Sequence, residues 1–491
     1  MKKIKPFDLL RYACLGAANL AVFGKLAEAS AEALDKPAAP PPPNVIIILA
    51  DDMGYGDIAP FGSKLNRTPN LDHMAAEGMK LTSFYGAPVC TPSRAQLMTG
   101  CYSKRVSLPA VLSPRAQIGL SPDEHTIADL LKLRGYSTMA VGKWHLGDQP
   151  PFLPTHHGFD HYLGLPYSND HTPLILVQDE KVIEAPPKLN ELTARYTDEA
   201  VKFISANKDH PFFLYLAHAA IHVPISPGKE FEGKSANGRL GDWVEETDWS
   251  VGRVLDTLKA LKLDSNTIVV FTSDNGGWRE QGKDGGDNGP LRGGKRSTYE
   301  GGLREPAIVW WPGKIRAGSV SDAITSEMDI LPTMVKLAGG SVPADHKIDG
   351  LDIWPLLSGQ TKESPRKALF YFRDVKSEGK LEAVRSGPWK LSIAAQAEGW
   401  VDLSPAILSQ PYPPRLYNLD TDIGETTDVA AQHPEVVKQL QDYVAEMEAD
   451  LGKGIEHGPG VRARGFVADP KFLTNSPKAP LVPTRIAIEY D

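Results

Sequence analysis

"NVIIILADD", Asn44 to Asp52, is the stretch from which the fold can be read. Six apolar residues run without interruption from Val45 to Ala50, three of them isoleucine, and two aspartates follow. A half-exposed strand would alternate polar and apolar residues, and an amphipathic helix would repeat every three to four. An unbroken apolar run instead predicts a central strand of a parallel sheet, buried on both faces. Just before it, "DKPAAPPPP" (35–43) is a stiff, extended spacer, so the folded domain is expected to begin at Asn44.

Beyond Asp52 strand and helix patterns alternate. "TPNLDHMAAEG" predicts a helix with proline in its first turn, "MKLTSFYG" a strand, "HTIADLLKLRG" a helix ending in glycine and "YSTMAVGKW" a strand. "DHPFFLYLAHA" and "NTIVVFTSDNGG" are further strands, separated by a helical stretch around "DWVEETDWSVGRVLDTLKALK". This spacing implies an α/β domain, a large and mostly parallel sheet with helices on both faces. After "DGLDIWPLLSG" the pattern changes to short strands, "ALFYFR", "LEAVRSGPWKLSI" and "PRLYNLD", and a helix "HPEVVKQLQDYVAEMEADL". The expected division is a catalytic domain at 44–359 and a smaller α+β subdomain at 360–491.

The N-terminus is basic (Lys2, Lys3, Lys5, Arg11), then weakly apolar ("YACLGAANLAVFG"), then rich in small residues ("AEASAEA"). That order predicts a secretory signal peptide over 1–29, with cleavage options after Ala29 or Ala33, followed by a Pro-rich linker over 30–43. The stretch is too short to favour a permanent span, and no other segment is long and apolar enough to cross a bilayer. An exported protein, periplasmic or secreted, is expected. Of the 491 residues 41% are hydrophobic and 23% charged, an ordinary globular composition. A formal charge of −8 without a long Lys/Arg tract argues against a nucleic-acid partner. Only Cys14, Cys90 and Cys101 occur, so no disulfide framework is available once a signal peptide is removed.

Two apolar strands end in oxygen donors, Asp51 and Asp52 after the first, Asp274 and Asn275 after the later one. Ligands in open α/β sheets sit at the carboxyl ends of strands, so parallel neighbours would bring the four together. Three clustered carboxylates repel one another unless a hard divalent cation joins them, and oxygen ligands suit Ca²⁺ or Mg²⁺ better than zinc. Either pair alone reads as Asp/Asn turn chemistry. "GKWHLG" puts Lys143 and His145 two apart, on one face if the extended backbone persists. Lys295 lies in the Gly-rich "RGGKRSTYEGG", and His222 follows a strand in "HAAIHVP". Singly each is a solvated lysine or a core histidine; with Arg94 they form cationic and proton-transferring groups suited to an oxyanion. Cys90 precedes Pro92, which suits a first helical turn, and a helix N-terminus lowers a thiol's pKa and favours anions.

"CTPSR" (90–94) matches the C-x-P-S-R signature of the type I sulfatases. The chain also resembles that family at "LADDMGYGD", "GYSTMAVGKWHLG", "GFDHYLGLPYSND", "FTSDNGG" and "GGKRSTYEGGLREPAIVWWPG", in the family's order. The resemblance runs from about Asn44 to the C-terminus, and blocks such as "GLPYS" look like the arylsulfatase A branch. It implies an alkaline-phosphatase-like mixed sheet and conversion of Cys90 to formylglycine (3-oxoalanine) by a separate maturation enzyme. It further implies one calcium ion held by Asp51, Asp52, Asp274 and Asn275 and contacting the modified Cys90. In the family's reaction one hydroxyl of the hydrated aldehyde attacks sulfur, a covalent sulfoenzyme forms, and the second hydroxyl expels sulfate. By similarity Arg94 stabilises the nucleophilic oxygen, and Lys143, Ser168 and Lys295 bind sulfate or the hydrated aldehyde. His222 is the candidate acid for the leaving oxygen, with Lys295 as a second, and His145 the candidate base. His156, His157, His161, His171 and His218 receive no chemistry; Asp170 and His171 are at most pocket-lining.

The expected activity is hydrolysis of a sulfate monoester, an aryl sulfate or a sulfated carbohydrate. Three other readings stand beside it. A phosphonate or phosphodiester hydrolase of the same superfamily is disfavoured by the asparagine of "SDNGG", where such enzymes commonly carry histidine. A non-catalytic binder of sulfated glycans has no use for an oxidisable cysteine, and an ordinary cysteine hydrolase would not depend on a maturation enzyme. Cys101 is expected not to pair with Cys90, because that bond would consume the sulfur that maturation replaces. Oligomeric state is not legible in the chain.

Overall fold

The computed structural model describes residues 41–375, 378–400, 404, 411–454, 456–471 and 473. The expected signal peptide and the expected linker up to residue 40 lie outside the described residues.

Strands Asn44–Ala50 (β1), Met79–Tyr85 (β2), Ser137–Gly142 (β3), His161–Gly164 (β4), Leu176–Gln178 (β5) and Lys181–Glu184 (β6) come first. Phe212–Ala217 (β7), Thr267–Ser273 (β8), Arg304–Trp310 (β9), Ser319–Ser321 (β10) and Thr325–Ser326 (β11) complete an 11-stranded sheet. Its order is β10-β2-β9-β8-β1-β7-β3-β4-β5-β6, with β11 beside β2. β8, β1, β7, β3 and β4 run parallel, while β9 is antiparallel to both β8 and β2. The sheet is therefore mixed and mostly parallel, with β1 at its centre.

The reason for the unbroken apolar run is visible in the packing of β1. Val45, Ile47 and Leu49 join one core with Leu97 and Met98 of helix Cys90–Thr99, while Ile46, Ile48 and Ala50 join the core on the other face with Leu71 and Trp243. Each fully buried side chain of this kind contributes about 1.5–3 kcal/mol, so a polar residue on either face would be costly. The flanking helices include Pro69–Glu77 (α1), Cys90–Thr99 (α2), Ile127–Lys132 (α3), Leu192–Ala206 (α4) and Gly238–Ala260 (α5). α1 opens with its proline as predicted. α3 starts at a capping box between Thr126 and Asp129 and ends at Lys132, before the expected glycine; Gly135, with φ 82°, turns the chain into β3.

A second, antiparallel sheet of Leu369–Val375 (β12), Glu378–Ser386 (β13), Trp389–Ser392 (β14) and Arg415–Asn418 (β15) follows. "LEAVRSGPWKLSI" is thus a hairpin, β13 to β14, turning at Gly387 (φ 54°). Helix Pro434–Leu451 buries Leu440, Val444 and Leu451 in the same cluster as Leu381, Leu391 and Leu416. A buried charge cluster ties this sheet to Glu300, five residues beyond Lys295. Lys390 of β14 donates to Glu300 Oε1 (3.1 Å) and Thr298 O (2.9 Å) and pairs with Glu425 Oε1 at 2.7 Å. Tyr85 and Tyr371 donate their hydroxyls to Glu300 at 2.6 and 2.7 Å.

Candidate active site

β1 and β8 are parallel neighbours with Ala50 opposite Ser273, so the acidic residues after each leave the sheet at one edge. The ladder continues one step past the strands, where Asp274 N donates to Ala50 O (3.1 Å) and Asp51 N to Ala220 O (2.7 Å). Asp52 then adopts φ 61°, a left-handed conformation that aspartate tolerates better than most residues and that occurs preferentially at functional sites. Its backbone N–H donates to Asp274 Oδ1 (3.1 Å), and its Oδ1 accepts from Asn275 Nδ2 (2.7 Å). All four side chains are buried and converge.

Each carboxylate meets a buried cation. Lys143 Nζ is 2.6 Å from Asp51 Oδ2, and Lys295 Nζ 2.7 Å from Asp52 Oδ2. Arg94 grips Asp274 Oδ2 with Nε (3.0 Å) and Nη2 (2.8 Å), while its Nη1 donates to Lys143 O at 2.6 Å. Three anions face three cations, so the cage balances itself before any ligand enters. Lys143 reaches it because β3 stops at Gly142, whose φ is 107° and where a Cβ would lie 1.7 Å from Ala217 O. The strand ends at that residue, so the condition under which Lys143 and His145 would share a strand face is not met. His145, at φ 61°, swings its Nε2 to 2.9 Å from Leu112 O.

Cys90 is the first residue of α2 and lies 3.5 Å from Asp51 Oδ1 through its Sγ. Here the expected lowering of the thiol pKa is corrected. Burial pushes it well above the ordinary value, outweighing the opposing charges of Lys143 and Lys295. A thiol held protonated is a poor nucleophile, which weighs against a cysteine hydrolase. Cys90 and Cys101 are both free.

The histidines differ in how they are held. His145 turns Nε2 to a carbonyl, so that nitrogen carries the proton and the buried Nδ1, unpartnered among the described residues, is left as an acceptor. Burial first, then the Lys143 charge, hold its pKa well below the usual imidazole value. His222 donates from Nδ1 to Val223 O (2.7 Å) and presents Nε2 3.6 Å from Asp52 Oδ2. Ser168 is buried in a segment fastened on both sides: His145 N donates to Pro166 O (3.0 Å), and Asn169 Nδ2 to His222 O (2.9 Å). His171 brings its ring to 5.6 Å from that of His145. Burial against the site would raise the carboxyl of the adjacent Asp170, but the charges of His222, His171, Lys295 and Lys143 together hold it below its ordinary value.

Asp51, Asp52, Cys90 and His222 each offer one atom, and these lie within 4.8 Å of one another, a buried group able to hold a metal ion. Asn275 sits at the same edge with its Oδ1 buried and, among the described residues, without a partner. A buried amide oxygen left unpaired costs about 1–3 kcal/mol, which a cation ligand would remove. Asp274 is part of the cage, but one oxygen is taken by Arg94 and the other by the Asp52 N–H.

The family model described as Sulfatase matches residues 43–341, and the model for the C-terminal region of aryl-sulfatase matches 364–457. The chain belongs to the type I sulfatase family. A further model, the C-terminal part of N-sulphoglucosamine sulphohydrolase, matches 293–401. N-acetylgalactosamine-6-sulfatase of Sus scrofa is 42% identical over 400 residues, 76% of this chain and 75% of the relative. Human arylsulfatase A is 39% identical over 463 residues, 86% of this chain and 90% of the relative. A solved Bacteroides thetaiotaomicron structure described with the metabolism of multiple glycosaminoglycans is 29% identical, with a TM-score of 0.74 over 83% of this chain and 99% of that one. The chain is a sulfuric ester hydrolase with the arylsulfatase A-like sulfatase fold.

Sequence reasoning missed several residues around this sulfatase cage. Tyr215, on β7, places its hydroxyl 3.4 Å from Arg94 Nη1, and the Leu112 carbonyl fixes the His145 ring. Trp278 lies three residues past Asn275, a nearness that could have flagged it. Its ring is 5.8 Å from His222 and its centroid 4.5 Å from Lys295 Nζ. Trp400, 4.9 Å from Trp278, comes from the far end of the chain and carried no signal.

Proposed function

We propose that this sulfatase hydrolyses sulfate monoesters at a formylglycine made from Cys90 beside a calcium ion. The observation that carries the reading is Cys90 at a helix start, in a buried cage with a balanced charge and one unpaired amide oxygen. Asp51, Asp52, Asp274 and Asn275 would hold the ion, whose role is to draw electron density from oxygen at residue 90. An all-oxygen set of this charge favours calcium over a softer metal. Formylglycine, once hydrated by one water, would supply a geminal pair of hydroxyls, one a nucleophile and the other a means of regeneration without water attacking sulfur.

The protein's own groups divide the remaining work. A divalent cation gives the neutral cage a positive surplus, which suits the anionic sulfate. Lys143, Lys295 and Arg94 supply N–H donors to its oxygens and stabilise charge as the ester bond breaks, and Ser168 adds a hydroxyl. His222, its Nδ1 fixed on Val223 O, has Nε2 left to protonate the departing alcohol oxygen. His145, kept neutral with a free Nδ1, is suited to accept a proton at residue 90. The cationic Lys295 is second in line as acid. Burial alone would lower its pKa, but the charges of Asp52 and Asp51 push it up and keep it protonated.

The substrate is a sulfated carbohydrate or aryl sulfate, supported by the N-acetylgalactosamine-6-sulfatase and arylsulfatase A relatives. Residues 44–359 form the catalytic domain and 360–491 the smaller subdomain, supported by the antiparallel sheet starting at Leu369. Export by the 1–29 signal and maturation by a formylglycine-generating partner complete the reading. Among the described residues no helix is long and apolar enough to cross a membrane. The test compares a sulfate monoester with a phosphate diester of the same aryl alcohol. Faster sulfate release is expected, and faster diester cleavage would overturn the assignment.

A further inference from the structure

Trp278 and Trp400 are both half-buried, and their rings lie 4.9 Å apart at an interplanar angle of 32°, close to stacked. Trp278 follows Asn275 on the loop after β8; Trp400 belongs to the C-terminal part of the chain. Trp400 is held there by a series of specific contacts. Ser297 Oγ donates to Ala397 O (2.6 Å), Gln396 Nε2 to Thr298 Oγ1 (3.0 Å), and Arg292 pairs with Glu398 at 2.6 Å. The Trp400 backbone is fixed at both ends, its N–H donating to Glu280 Oε1 (2.8 Å) and its carbonyl accepting from Arg296 Nη1 (3.1 Å). A Cβ at Gly399 would lie 1.9 Å from Glu280 Oε1, so a larger residue there would displace that carboxylate from the Trp400 N–H.

The position of the pair decides what it faces. Trp278 touches the two side chains read above as donors to the departing oxygen: its ring is 5.8 Å from His222, and Lys295 Nζ sits 4.5 Å from its centroid. Lys295 Nζ is also 5.7 Å from the Trp400 ring. Whatever group the sulfate leaves behind must lie on this side. Indole faces bind flat apolar surfaces, including the C–H face of a pyranose, and the cations beside them favour a polar ring over a greasy one. Asp170, exposed and next to Asn169, whose Nδ2 donates to His222 O (2.9 Å), adds an acceptor for hydroxyl groups that a simple aryl ring lacks.

We propose that Trp278 and Trp400 form a stacking platform that holds the pyranose ring of a sugar sulfate on the leaving-group side of the site, with Asp170 accepting from its hydroxyls. This rests on the reading of His222 and Lys295 as the leaving-oxygen side. The two tryptophans are specificity residues and take no part in bond breaking.

The test measures equilibrium binding in a Cys90→Ala background, so that nothing turns over. N-acetylgalactosamine 6-sulfate, glucose 6-sulfate, 4-nitrophenyl sulfate and inorganic sulfate are the probes. Trp400→Ala is expected to weaken the better-bound sugar sulfate about tenfold, the size of a lost stacking contact, and inorganic sulfate less than about twofold. Trp400→Phe is expected to restore most of that loss, and Asp170→Asn to weaken the sugar sulfate but not the aryl sulfate. Unchanged sugar affinity in Trp400→Ala, an equal loss for inorganic sulfate, a larger loss for the aryl probe, or no sugar binding with both tryptophans present would each overturn the platform. The leaving-side reading is checked separately by His222→Ala acting on aryl sulfates of increasing alcohol pKa. If poor leaving groups suffer no more than good ones, that reading fails while the binding result stands on its own.

Discussion

Replacing Lys390 by methionine should loosen the C-terminal sheet from the loop that carries Lys295. The ammonium is fully buried; it donates to Thr298 O and Glu300 Oε1 and pairs with Glu425 Oε1, all between 2.7 and 3.1 Å away. Methionine fills most of its volume, so the cost is mainly electrostatic. Glu300 keeps Arg304 at 3.4 Å and Arg385 at 3.6 Å, but above pH 7, where the Glu425 carboxyl that burial raises to about 7 is ionised, Glu425 is left with no cation among the described residues of that cluster. Breaking a buried pair by removing one partner costs about 3–5 kcal/mol. With an unfolding entropy of roughly 2 cal/mol/K per residue, a chain of this length loses about 1 °C for each kcal/mol, giving a Tm lower by about 3–5 °C. Lys390→Met/Glu425→Gln removes one charge of each sign and leaves an acceptor for the Glu300 N–H, so it should recover more than half of the loss. Calorimetry on the four proteins of the cycle yields the coupling. A single variant as stable as the parent, or a double variant that is merely the sum of two losses, would refute the claim that this cluster works as a unit.

Arg94→Lys keeps the charge but not the two-pronged grip on Asp274, and kcat/KM for an aryl sulfate should fall about 100-fold or more. If the loss is under threefold, Arg94 has no role in the reaction. Chelation with EGTA should abolish turnover, calcium should restore it better than magnesium, and calcium at about 100 Kd should add ~2.7 kcal/mol of stability. Glu246, whose Oε2 accepts from Gly228 N at 2.7 Å, is raised by burial to about 7. The folded state therefore holds this proton where the unfolded chain has released it. Stability conferred below the unfolded value near pH 4 is lost as pH rises toward 7, at no more than about 1.4 kcal/mol per pH unit. Glu246→Gln should gain Tm relative to the parent over that interval; a constant difference would mean the carboxyl is not shifted.

Much of this architecture was legible because local pattern and long-range packing agree. The run from Val45 to Ala50 is apolar because both its faces are covered, and the strand at Thr267–Ser273 ends in acidic and amide side chains because it lies beside β1 at the same edge. What stayed hidden depends on contacts between distant segments or on competing forces. Trp400 is brought to the site by pairings across about a hundred residues, such as Ser297 with Ala397. The Cys90 pKa went the other way because a helix N-terminus acts over one turn, whereas burial in the cage acts on the whole thiol. The geometry of His145 was lost at Gly142, where a positive φ ends the strand that period-two reasoning extends.

The central claim is that residue 90 must cease to be cysteine for this site to work. Peptide mass spectrometry of the protein from cells with and without the maturation enzyme, alongside sulfate release from the same samples, tests it directly. Active samples should carry the 90–94 segment about 18 Da lighter than its cysteine form, with turnover proportional to the converted fraction. Full sulfate release from protein whose Cys90 is an unmodified thiol would contradict the account.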